Sequence, residues 1–155
     1  MTTTFTVNCR AVGKGSLQPI RTKSGRTFMK ESGGDPLVLF MRTVAFEAAK
    51  HFKAPLGRPW GFVVDRRYFF ARPSTCYENP IVKPDIDKLD RAVFDALTGV
   101  AYEDDAQVIG GSHQKCYAIN DYVDIVVKGF EYAEFSKRKD GTWREVRKKT
   151  GKKGN

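Results

Sequence analysis

The residues that most restrict the fold of this chain lie in its middle, from Asp87 to Thr98. Leu89, Ala92, Val93, Ala96 and Leu97 recur with the 3.6-residue period of a helix that buries one face. Gly99 follows, where a helix commonly ends in a left-handed turn. A helix of this kind needs a surface to pack on, and the flanking sequence supplies strands. From Phe5 to Val12, Phe5, Val7 and Cys9 alternate with polar residues. Trp60 to Arg72 reads as a long strand interrupted at Arg66 and Arg67. Gln107–Ile109 and Lys115–Ile119 read as short strands broken by Gly110-Gly111, and Tyr122–Val127 puts Val123, Ile125 and Val127 on one face.

Two further segments complete the layout. Lys23-Ser24-Gly25-Arg26 reads as a turn between two short extended pieces. Gly33-Gly34-Asp35-Pro36 opens a helix running to about Phe52, with Asp35 as N-cap and Pro36 at the first helical position. Its apolar face is Leu37, Met41, Val44, Ala45, Ala48 and Phe52. Residues 73–84, with Pro73, Pro80 and Pro84, form a loop. The order implies an α/β (α+β) fold: one small domain, a mixed β-sheet and two main helices packed on it. The chain of 155 residues suits a single domain, placed at 1–136. Residues 137–155 are polar and basic and are expected to form a disordered tail.

Charge narrows the range of functions. The net charge of +9 is unevenly spread. Residues 10–30 carry Arg10, Lys14, Arg21, Lys23, Arg26 and Lys30 with no acid, and residues 137–155 carry nine basic residues against Asp140 and Glu145. Residues 31–136 are net acidic, with 12 basic and 16 acidic residues. Basic arms attract polyanions such as DNA, whereas an acidic centre repels them unless a cation intervenes. The three cysteines, Cys9, Cys76 and Cys116, form no C-x-x-C pair, and the two histidines, His51 and His113, lie far apart. Neither a disulfide framework nor a thiolate or His-rich zinc site is suggested. Metal chemistry would therefore fall to carboxylates, which favour Mg²⁺ or Mn²⁺. No apolar run reaches the roughly 20 residues of a membrane span, and the N-terminus lacks a secretory pattern, so a cytoplasmic protein is expected.

The carboxylates concentrate around the central helix. Asp85 and Asp87 stand two apart where loop becomes helix, so in extended backbone both point to one side. Asp87 is also placed to cap the helix, near the positive end of its dipole. Lys88 and Arg91 follow within about a turn. A 12-residue helix is roughly 18 Å long, and the extended return from Gly99 to Asp105 covers about that distance at ~3.3 Å per residue. The span thus permits Asp104 or Asp105 to come back beside Asp85 and Asp87. Three such carboxylates make an open site for one or two Mg²⁺, with Lys88 or Arg91 available to hold a phosphate.

The segment Lys83-Pro84-Asp85-Ile86-Asp87-Lys88, with Arg91, Asp95-Ala96-Leu97-Thr98-Gly99 and Asp104-Asp105-Ala106-Gln107-Val108, resembles the RusA-type Holliday-junction resolvases, phage and prophage relatives included. The resemblance implies that Asp85, Asp87 and Asp105 are the metal-binding catalytic carboxylates and that Asp104 is the lesser member of its pair. Arg91 falls where the family often has a catalytic lysine. An arginine keeps the charge but gives up a proton far less readily. Lys88 stands where an asparagine is frequent and shares the cationic role. The resemblance also implies a Mg²⁺-dependent homodimer that cuts four-way junctions, with the basic residues of 10–30 on the DNA backbone. Two other readings remain open at this point: a junction-binding module without nuclease activity, and a nuclease for flaps, forks or RNA.

Overall fold

The computed structural model describes residues 1–15, 17–31 and 33–146. The elements follow in order as β1 (Thr2–Val7), β2 (Leu17–Arg21), β3 (Thr27–Glu31), α1 (Gly34–Ala49), β4 (Trp60–Ala71), α2 (Ile86–Leu97), a 3-10 turn (Asp105–Gln107), β5 (Val108–Gly110), β6 (His113–Ala118), β7 (Tyr122–Glu131), β8 (Phe135–Lys137) and β9 (Trp143–Glu145).

The main sheet is built around β4. It pairs antiparallel with β7 along Trp60–Phe69, and β7 in turn pairs antiparallel with β1, setting Phe5 opposite Ile125 and Val7 opposite Val123. On its other edge β4 pairs in parallel with β5 and then β6. Parallel pairing needs a crossover, and α2 lies in the connection between β4 and β5. Alternate residues of β4, from Phe62 through Val64, Arg66 and Tyr68 to Phe70, are buried, as are Val123, Ile125 and Val127 of β7. These side chains form one core with Leu37, Phe40, Val44 and Ala48 of α1 and Leu89, Ala92, Val93, Ala96 and Leu97 of α2. The other sheet face carries polar pairs such as Thr6–Asp124 and Lys128–Asp65. The result is the mixed sheet with two helices expected from the periodicities.

Several boundaries differ from the sequence reading. β4 is continuous through Arg66 and Arg67, because Arg66 meets a buried carboxylate, described below. The cap of α1 is Gly33 and not Asp35, and Pro36 lies in the third helical position. Gly33 and Gly34 take positive φ of 129° and 55°, a backbone that only glycine adopts easily. Phe40, rather than Met41, joins the fully buried face of α1. β1 ends at Val7, where Cys9 N–H turns back to the Val7 carbonyl. The expected turn at Lys23-Ser24-Gly25-Arg26 is present as the tip of the β2–β3 hairpin, a separate two-stranded unit. Residues 137–155 read as disordered, but 135–146 fold into the β8–β9 hairpin. Asp140 and Gly141 supply its turn, a local signal outweighed by the basic composition. Residues 147–155 lie outside the described residues. Among the described residues no helix is long and apolar enough to cross a membrane.

Candidate active site

The start of α2 is fixed from two directions. Gly13 packs against it so closely that a Cβ there would stand 2.8 Å from the Lys88 Cβ. The next residue, Lys14, donates its backbone N–H to the Lys88 carbonyl (2.9 Å) and its ammonium to Asp95. From β6, Lys115 donates to the carbonyls of Val82 (2.7 Å) and Pro84 (2.9 Å). The loop that delivers Asp85 is thereby tied to the sheet edge. The sequence offered no sign of this role for Lys115, because its partners are backbone carbonyls some thirty residues away.

Asp85 is the N-cap of α2, not Asp87, and its side chain makes no capping hydrogen bond. Asp87 lies in the first turn, is largely exposed, and pairs with Lys88 at 3.3 Å. Both carboxylates stand at the positive end of the helix dipole. Arg91, one turn on from Asp87, is exposed.

The Asp104-Asp105 pair is divided in its duties. Asp104 caps the 3-10 turn, accepting from Ala106 N–H at 2.8 Å. Gln107, buried below it, accepts from the Glu103 and Asp104 N–H groups (both 3.1 Å) and donates to the carbonyls of Leu56 (3.0 Å) and Trp60 (2.9 Å). Asp104 and Gln107 thus serve the fold, and Asp105 is left exposed. Burial first, and then the charge of Asp105, push the Tyr102 phenol far above its ordinary pKa. That phenol donates to the Phe94 carbonyl at 3.0 Å, in the third turn of α2. Asp85 and Phe94 are nine residues apart, about 13 Å along the axis at ~1.5 Å per residue.

Asp85 and Asp87 thus share the start of α2, and Asp105 opens the 3-10 turn that follows the helix. Among the described residues, no three His, Cys, Asp or Glu side chains gather within reach of one ion. The span estimate allowed the return segment to reach Asp85. In the structure the chain turns at Gly99, through Gly99 N–H to the Tyr102 carbonyl (2.7 Å).

On the helix between these points sits Asp90, a group the sequence reading did not single out. It is buried and accepts from Arg66 Nε (3.0 Å), Arg66 Nη2 (3.0 Å), Tyr68 OH (2.7 Å) and His113 Nδ1. Burial pushes its carboxyl up, but the bonds from Arg66, His113 and Tyr68 outweigh this and hold it below the ordinary carboxylate range. Arg66 also donates to the Val64 carbonyl and lies 4.6 Å over the Phe94 ring. The signal available in sequence was an arginine at an inward-facing strand position, which demands a buried partner.

The basic residues of 10–30 divide in the same way. Arg10 pairs with Asp121 (3.1 Å) and lies over Phe70, and Lys14 pairs with Asp95. Arg21, Lys23 and Arg26 are exposed on the β2–β3 hairpin. The Lys30 side chain lies outside the described residues.

Comparison with known families gives a match to the model described as "Endodeoxyribonuclease RusA", over residues 16–128, well over half of the chain. The chain belongs to the RusA endodeoxyribonuclease family. No curated protein matches it. The RusA match takes in the β2–β3 hairpin, both helices, the 3-10 turn and the main sheet from β4 to Lys128 of β7, and β1 precedes it. At the level of the family, the RusA enzymes are endonucleases that resolve Holliday junctions, and this chain is an endodeoxyribonuclease of that type. Its β8–β9 hairpin lies beyond the matched span.

Proposed function

We propose that this chain resolves four-way or other branched DNA by divalent-metal-dependent phosphodiester hydrolysis, in DNA recombination and repair. The supporting observation is the pair Asp85 and Asp87 at the start of α2: exposed, not used in capping, and flanked within a turn by Lys88 and Arg91.

Two oxygen donors suit Mg²⁺, which keeps part of its water shell and binds through one or two carboxylates together with phosphate oxygens. Mn²⁺ has the same preferences. The third donor in the assignment is Asp105, exposed on the 3-10 turn after α2. Such a cation supplies a water of lowered pKa and neutralises charge on the phosphate.

The chain's own residues do the rest. Asp85 and Asp87 are the metal-holding carboxylates, fixed at one end by the α2 backbone and at the other by the Lys115-anchored loop. Lys88 and Arg91 hold the scissile phosphate. Arg91 acts by charge and bidentate geometry and not as a proton donor. Arg21, Lys23, Arg26 and Lys30 on the β2–β3 hairpin follow the DNA backbone, contacts that position without reading sequence. A homodimer supplies the two sites that paired cuts in a two-fold substrate require.

Asp87→Asn tests the reading. It should bind a four-way junction like wild type and yield no product with Mg²⁺, as wild type should in EDTA. Full cleavage by Asp87→Asn, or cleavage indifferent to EDTA, overturns it. Asp105→Asn tests the third carboxylate. Loss of cleavage equal to that of Asp87→Asn places it in the reaction, and wild-type cleavage removes it.

A further inference from the structure

The β8–β9 hairpin stands apart from the main sheet, its strands pairing only with each other. It lies outside the span shared with the RusA family. The register pairs Phe135 with Glu145 and Lys137 with Trp143, which puts these four side chains on one face and Ser136 and Arg144 on the other. Phe135 and Trp143 are then diagonal neighbours, a spacing within reach of aromatic side chains. They are 57% and 65% exposed, an unusual state for two large rings on three-residue strands.

The hairpin is also shaped from within. Arg138 N–H donates to the Thr142 carbonyl (2.7 Å) and Gly141 N–H to the Arg138 carbonyl (3.0 Å). Gly141 takes φ of 87°. The Asp140 carboxylate accepts from both the N–H (2.9 Å) and the hydroxyl (2.7 Å) of Thr142. The acid of the turn is thus engaged in its geometry, while Arg138 and Lys139 occupy the exposed tip. At its base, Val146 N–H donates to the Glu134 carbonyl (2.7 Å). Residues 135–146 hold four basic side chains against two acidic ones.

Exposed rings beside cations suit a partner that offers flat π-faces and negative charge together. In duplex DNA the base faces are stacked on one another, and only unpaired nucleotides offer both. We propose that the β8–β9 hairpin is a second DNA contact, on which unpaired bases stack against Phe135 and Trp143 while Lys137 on the same face and Arg138 and Lys139 at the tip hold the adjoining phosphates. The hairpin thereby favours single-stranded DNA, and branched DNA with single-stranded arms, over plain duplex. This rests on the endonuclease reading for its context but uses none of the proposed cleavage residues.

The test uses the full chain carrying Trp60→Phe, which leaves Trp143 as the sole tryptophan. Its fluorescence is titrated with single-stranded DNA, a fork with single-stranded arms and a duplex of equal length. Quenching should be strong with single-stranded DNA and the fork and weak with the duplex. In gel shifts, which need no tryptophan, Phe135→Ala with Trp143→Ala should weaken single-strand binding by about 5- to 150-fold for each stacked base lost. Duplex affinity should change less than about twofold, the share that phosphate contacts alone carry. Trp143→Phe should restore most of the loss, since a smaller ring still stacks.

Equal quenching by all three DNAs, or unchanged single-strand affinity in the double alanine variant, overturns the proposal. So does a change from dimer to monomer in that variant, which would make the face a contact between two copies of the chain. A chain that cleaves junctions normally while the hairpin variants bind normally loses only this proposal. A chain that neither cuts nor binds branched DNA loses the endonuclease reading itself.

Discussion

Replacing Asp90 by alanine should be among the most destabilising single changes in this protein. Its side chain is 11% exposed and holds three residues from two strands. Truncation would leave the Arg66 guanidinium, 4% exposed, facing a void with only the Val64 carbonyl and the Phe94 ring for company. Removing one member of a buried ion pair typically costs about 3–5 kcal/mol, because the other charge stays buried without compensation. At about 2–4 °C per kcal/mol for a chain of this size, the melting temperature should fall by roughly 6–20 °C. Removing both charges, with Arg66→Met and Asp90→Leu, should recover much of that loss. Urea unfolding of wild type, Arg66→Met, Asp90→Leu and the double variant closes the cycle, with Asp90→Ala measured beside it. The pH dependence gives an independent reading. The folded Asp90 carboxyl lies below its ordinary value, so its contribution is complete above the unfolded pKa of about 4 and is lost as pH falls through the folded one. Asp90→Ala should therefore lose less stability than wild type between about pH 4 and the acid limit. A single variant within about 1 kcal/mol of wild type would refute the reasoning. So would a double variant as unstable as the sum of the singles.

Other outcomes follow from the same structure. Lys115→Met should loosen the loop that carries Asp85 and lower single-turnover junction cleavage by about 10- to 100-fold, the scale of a small misplacement of reacting groups. Junction affinity by gel shift should be unchanged. Gly111→Ala should abolish or severely reduce folding as followed by circular dichroism, because φ is 144° and a Cβ would stand 1.8 Å from the Val64 carbonyl oxygen. Gln107→Ala should cost about 1–3 kcal/mol in urea unfolding, since it strands the buried Leu56 and Trp60 carbonyls.

The fold was legible in the sequence wherever one physical signal dominated. The period of α2 and the alternation in β7 gave their buried faces directly, because each side is either core or solvent. Arg66 was misleading for the same reason. A charged residue in an apolar alternation reads as an interruption, and only the position of Asp90 on another element turns it into a core residue. Asp85, Asp87, Lys88 and Arg91 were found as neighbours because a helix start places near residues near in space. The position of Asp105 depends on how the chain leaves Gly99, which length alone does not determine. Lys115, bonded to the carbonyls of Val82 and Pro84, left no pattern to find, because any residue provides a carbonyl.

The division of work within Asp104-Asp105-Ala106-Gln107 bears on how relatives of this protein should be judged. Asp104 and Gln107 maintain the turn and the two carbonyls behind it, so a descendant that had lost all catalysis would still be selected to keep them. The presence of that four-letter signature is then a statement about architecture. Of its acidic letters, only the second has a side chain outside the bonds that shape the turn, so its replacement would leave that architecture standing.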